Sequence, residues 1–98
     1  MIFVIRFSER GRADFQNVSG NPALAKRLKA VRAAIGKLQT NPRHPGLNTH
    51  KYQTLRGTNG EEVFEAYAEN NTPSAYRIFW HYGPGKNAIT ILAITPHP

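Results

Sequence analysis

The chain contains no cysteine, so neither disulfides nor thiolate metal sites are open to it, and a reducing, cytoplasmic setting suits it. Long apolar runs are also missing. The opening MIFVIRF is apolar for five residues before it meets charge, too short for a signal peptide and far too short to span a bilayer. Acidic residues are scarce: six Asp and Glu stand against 13 Lys and Arg, a net charge of +7 on 98 residues. Such an excess on a small body points to a polyanionic partner, nucleic acid or an acidic protein segment, and is silent about the fold. No repeat, low-complexity tract or linker divides the chain. Residues 1–98 therefore read as one domain, able to bury roughly 60% of its unfolded surface without staples.

What the chain does have is concentrated in Ala75–Pro98, AYRIFWHYGPGKNAITILAITPHP. Aromatic and β-branched residues fill two arms, Tyr76–Tyr82 and Ala88–Thr95, which predict paired strands. Between them Gly83-Pro84-Gly85-Lys86-Asn87 supplies glycines free to take positive φ and a proline of fixed φ, as a chain reversal requires. Arg77 lies inside the first arm and His97 just past the second, so the hairpin presents a guanidinium and an imidazole.

Upstream, Met1–Phe7 reads as a short buried strand. Ser8 can cap a helix running to about Val18, with Glu9 in its favourable first turn and Gly11 as its weak point. Asn21 and Pro22 suit the N-cap and first position of a second helix reaching about Gln39. In that helix Leu24, Leu28, Val31, Ile35 and Leu38 form one apolar stripe, and Lys26, Arg27, Lys29, Arg32 and Lys37 occupy the other faces. Asn41–Gly46 is a loop, Leu47–Arg56 a strand with an irregular start, Gly57–Gly60 a turn, and Glu61–Glu69 another strand. The class is α+β: an N-terminal strand, two helices, then an antiparallel sheet of three to four strands, with the helices on one face and the other partly open.

Leu55-Arg56-Gly57, Tyr76-Arg77-Ile78-Phe79-Trp80 and the terminal Ile94-Thr95-Pro96-His97, in that order, resemble the RelE/ParE superfamily of bacterial toxins over nearly the whole chain. The resemblance implies the toxin half of a toxin–antitoxin module, wrapped and neutralised by a small antitoxin. RelE-like and YoeB-like members cut mRNA on the ribosome, whereas ParE-like members inhibit DNA gyrase. No cofactor is implied.

Metal-independent RNA cleavage needs a base for the 2′-hydroxyl, a cation for the charge on phosphorus, and an acid for the leaving 5′-oxygen. By resemblance, Arg77 is the phosphate-binding arginine; its alternative is an ion pair with Glu65 or Glu69. By the same resemblance His97 is the general acid, and its alternative is a free tail. His50, Lys51 and Arg56 are candidate phosphate contacts, and His81 and Tyr82 candidate groove residues, with packing the alternative for Tyr82. Tyr52, Tyr67 or Trp80 can stack on a base or pack in the core. His44, His50, His81 and His97 share no metal-ligand spacing.

Two departures stand out. Where YoeB-like members carry a general-base glutamate, four residues before the glycine of the hydrophobic-basic-Gly step, this chain has Gln53. Where RelE has catalytic lysines, the strand reads Val63-Phe64-Glu65-Ala66-Tyr67. Glu65 is the candidate substitute base, or else the cross-strand partner of Arg77. A gyrase inhibitor or an inactive protein of this fold are the competing readings. The cleavage reading requires Arg77 and His97 to share one anion-binding hollow.

Overall fold

The computed structural model describes residues 2–97. Met1 and Pro98, at the two ends of stretches assigned above, lie outside the described residues. The elements run β1 (Val4–Phe7), α1 (Glu9–Ser19), a 3-10 turn (Pro22–Leu24), α2 (Ala25–Thr40), a second 3-10 turn (Pro45–Leu47), β2 (His50–Arg56), β3 (Glu62–Tyr67), β4 (Tyr76–Tyr82) and β5 (Ala88–Pro96). The α+β order matches the expectation. The sheet is larger than expected, five strands in the order β1-β5-β4-β3-β2. β2 to β5 pair antiparallel, but β1 joins β5 in parallel, Val4 opposite Ala88. Two helices separate β1 from the next strand, so it has no hairpin partner and takes the free edge of β5.

Ser8 caps α1 as expected, its Oγ accepting from Gly11 N at 3.0 Å. That hydroxyl also donates to Leu92 O at 3.1 Å. Leu92 is an extra residue in β5: Phe79 pairs with Ala93 and Trp80 with Ile91. A bulge leaves backbone groups without ladder partners, and α1 supplies them. Ser8 N donates to Ile91 O at 3.0 Å, and Asp14 Oδ2 accepts from Ile94 N at 2.9 Å. The bulge also flips the alternation, so Ile89, Ile91 and Ile94 all reach the helix-side core while Ala93 turns to the other face. The contact is close because Gly11 has no side chain; a Cβ there would stand 2.2 Å from Ile91 O.

Asn21 caps the 3-10 turn rather than α2 itself, accepting from Ala23 N at 3.0 Å, and α2 starts four residues later. Val31, Ala34 and Leu38 bury its inner face against Ile78, Trp80, Ile89 and Ile91. The irregular start foreseen for β2 is the second 3-10 turn, closed by Asn48 in the left-handed region at φ 47°. Between β2 and β3, Glu61 folds back and its carboxylate accepts from Asn59 N at 2.9 Å. Its own backbone N–H and that of Asn59 hold the Glu61 carboxyl below the ordinary glutamate range. Among the described residues no helix is long and apolar enough to cross a membrane.

Candidate active site

On the sheet face away from the helices, strand alternation gathers polar side chains from four segments. Glu65 and Tyr67 project from β3, with Arg77 opposite Tyr67 on β4 and His50 opposite Glu65 on β2. His97 follows β5 and is tied down by its backbone, His97 N donating to Ala75 O at 3.1 Å.

Glu65 is the centre. Only 1% of it is exposed, and both carboxylate oxygens are engaged. His50 Nε2 lies 2.8 Å from Oε1 and His97 Nδ1 2.5 Å from Oε2. Each imidazole is about half exposed, so the buried carboxylate meets solvent through two histidine rings. With the carboxylate as acceptor, His97 carries hydrogen on Nδ1 and leaves Nε2 free.

Arg77 makes the ion pair with Glu65 named above as its alternative, but makes it loosely. Its Nε stands 3.8 Å from Glu65 Oε2, beyond hydrogen-bond reach, and is buried without a partner among the described residues. The guanidinium is fixed by other means: Nη1 donates to Glu69 O at 2.8 Å, and its carbon lies 3.6 Å from the centroid of the Tyr67 ring. The Glu69 side chain goes to Arg27 of α2, at 2.9 Å, and to Tyr76 N at 3.0 Å.

Arg77, His97, Glu65 and His50 therefore meet in one place. The other candidates stand apart from them. Lys51, the next residue along from His50, pairs with Glu62 at 3.4 Å. Arg56 is exposed at the far end of β2. His81 shares the face of Arg77 but sits four residues along β4, about 13 Å away at strand rise, with its Nδ1 on Tyr82 O. Tyr82 turns to the helix side and packs against Trp80, ring centroids 4.9 Å apart, beside a hollow of about 540 Å3 that Arg43 and His44 also line. Trp80 is buried and stacked on Phe64. Tyr52 packs on Phe79 at 4.8 Å and lines a smaller hollow of about 250 Å3, with Leu55 and Thr95, on the side of the sheet that carries Arg77. Gln53 is exposed on the edge strand.

Sequence reasoning missed the pairing of His50 with Glu65 and the seat of Arg77 on Tyr67. Among the described residues no group of three His, Cys, Asp or Glu side chains is placed to hold a metal ion. The cluster instead offers a cation seated on an aromatic face beside an imidazole with one free nitrogen. That combination can hold an oxyanion and move a proton next to it.

The fold is that of the RelE/ParE toxins. Over 98% of this chain and the whole of the other, it superposes on a YoeB/ParE toxin from Agrobacterium tumefaciens with a TM-score of 0.71 at 8% identity. It matches the archaeal RelE–RelB complex from Pyrococcus horikoshii with a TM-score of 0.65 at 16% identity, over 98% of this chain and 96% of that one. The toxin–antitoxin complex RelBE2 from Mycobacterium tuberculosis gives 0.59 at 21% identity, over 99% and 100%. No protein-family model and no curated protein sequence matches the chain.

Proposed function

We propose that the protein is the toxin of a toxin–antitoxin module and acts in the cytoplasm as a metal-independent endoribonuclease on ribosome-bound mRNA. The observation that supports this is the buried Glu65, which orients His97 beside the guanidinium of Arg77. A phosphodiester at the cluster meets Arg77, which offsets the charge that grows on the non-bridging oxygens. The 2′-oxygen attacks phosphorus and forms the O2′–P bond while the P–O5′ bond breaks. The 2′-hydroxyl proton leaves to water, and His97, once Nε2 has taken up a proton from solvent while Nδ1–H stays on Glu65, passes that proton to O5′. Glu65 acts through His97 rather than as the base itself, because both of its oxygens already accept from histidines.

An acidic antitoxin fits the charge. Lys26, Lys29 and Arg32 stand exposed along α2 with no ion-pair partner among the described residues. Two of the structural neighbours are themselves complexes with an antitoxin.

The test is cleavage of synthetic and ribosome-bound RNA in the presence of a chelator. Fragments should carry 2′,3′-cyclic phosphate and 5′-hydroxyl ends. Arg77→Ala and His97→Ala should each slow cleavage on the order of a hundredfold or more while unfolding temperatures hold. Variants that cut like the wild type would remove these residues from the site. Intact RNA together with blocked supercoiling by gyrase would favour the gyrase-inhibitor reading.

A further inference from the structure

We infer that His50 is a positioning residue: it locks the Glu65 carboxylate so that His97 is held with Nε2 as its one free ring nitrogen. The consequence for catalysis rests on the RNA-cleavage reading; the geometry does not.

Both ring nitrogens of His50 face acceptors. Nδ1 lies 3.0 Å from Asn48 O, and Nε2 2.8 Å from Glu65 Oε1. A backbone carbonyl only accepts, and a neutral imidazole has a single N–H. His97 Nδ1 bonds to the other oxygen and Arg77 Nε stands 3.8 Å from it, so two further donor groups face the carboxylate. They leave Oε1 to His50 as its one partner. Tyr67 meets the His50 ring edge-on, at 6.0 Å between ring centroids.

The two oxygens thus have separate duties: Oε1 belongs to His50, and Oε2 to His97 with Arg77 nearby. If His50 is removed, Oε1 loses its donor inside a site where an unpaired charge is costly. The carboxylate can then turn toward Arg77 Nε, a buried donor without a partner, and His97 loses its anchor. A histidine with both nitrogens engaged has none left for a phosphate. His50 therefore acts through Glu65, not on RNA.

Kinetics of His50→Gln, which keeps a neutral donor at similar reach, separate this role from RNA binding. The expected result is kcat lower by on the order of tenfold to a hundredfold, the usual scale for a group that orients a functional histidine, with KM changed by less than about twofold. A raised KM at unchanged kcat would make His50 a phosphate contact and overturn the inference. In the double variant with Glu65→Gln, the His50 change should add little, since the two residues work as one unit; full additivity overturns it as well. Nitrogen-15 spectra of the histidine rings need no activity, so they decide the matter even if the protein cleaves no RNA. In the wild type His50 should carry hydrogen on Nε2, facing Glu65, and His97 on Nδ1. In His50→Gln the His97 ring resonances should move. A bare Nε2 on His50, or His97 resonances that stay in place, refutes the inference.

Discussion

Arg77 lies over the ring of Tyr67, its cross-strand partner between β3 and β4, with 3.6 Å from guanidinium carbon to ring centroid. Beside the loose ion pair with Glu65 at 3.8 Å, the contact holds the cation in place without a hydrogen bond to that carboxylate. An arginine bonded tightly to Glu65 would have its guanidinium edge taken up. Seated on an aromatic face and tethered through Nη1 to Glu69 O, it keeps its remaining N–H groups out of any hydrogen bond to a carboxylate.

The ring, not the hydroxyl, is what Arg77 needs. Tyr67→Phe should therefore leave binding of a non-cleavable RNA analogue within about twofold. Tyr67→Ala should weaken it by roughly threefold to thirtyfold, the equivalent of about 0.5–2 kcal/mol for a partly desolvated cation–π contact. Titration at fixed ionic strength checks this, since phosphate contacts are salt-dependent. Equal losses in the two variants would transfer the role to the hydroxyl.

Two glycines in the helices should respond in opposite directions to the same substitution. At Gly11 a new Cβ meets Ile91 O at 2.2 Å, where backbone must shift. Gly11→Ala should destabilise by about 1–3 kcal/mol, the usual cost of overpacking, and disturb the Ser8 and Asp14 contacts to the β5 bulge. At Gly36, on the exposed side of α2, a Cβ meets nothing within 4 Å. Gly36→Ala should stabilise by about 0.5–1 kcal/mol through helix propensity alone. Thermal melts of the two variants against the wild type read both signs.

These contrasts show which parts of the molecule were legible from residues alone. The α2 stripe, the Ser8 cap and the β4–β5 hairpin depend on local spacing, and local spacing is visible. The bulge at Leu92 depends on Ser8 and Asp14, some 80 residues away, so nothing near Leu92 announces it. The His50–Glu65 pairing was hidden by register. Arg56 pairs with Glu62, and a regular ladder continued from there would set His50 opposite Ala68. The irregularity between Lys51 and Arg56 moves His50 opposite Glu65 instead. Arg77 and His97 were suggested by the resemblance to a toxin family; their meeting at Glu65 is a property of the folded sheet.

The Glu61 turn carries a pH dependence with a definite sign. Its carboxylate accepts from backbone N–H groups only in the folded chain, so its folded pKa lies below the unfolded one. The resulting stabilisation is fully present above the unfolded value and disappears as pH falls through the lower, folded value. Glu61→Gln removes the titration. The wild type should therefore lose stability relative to this variant on acidification below the ordinary glutamate range, and the gap between them should be constant above it. Denaturant midpoints across an acid series measure that gap. The turn also needs Gly57, where a Cβ would stand 2.2 Å from Glu61 Oε1, so Gly57→Ala should displace the carboxylate and flatten the acid limb in the same way. A gap between wild type and Glu61→Gln that widened toward neutral pH instead would reverse the sign and rule out the backbone hydrogen bonds as its source.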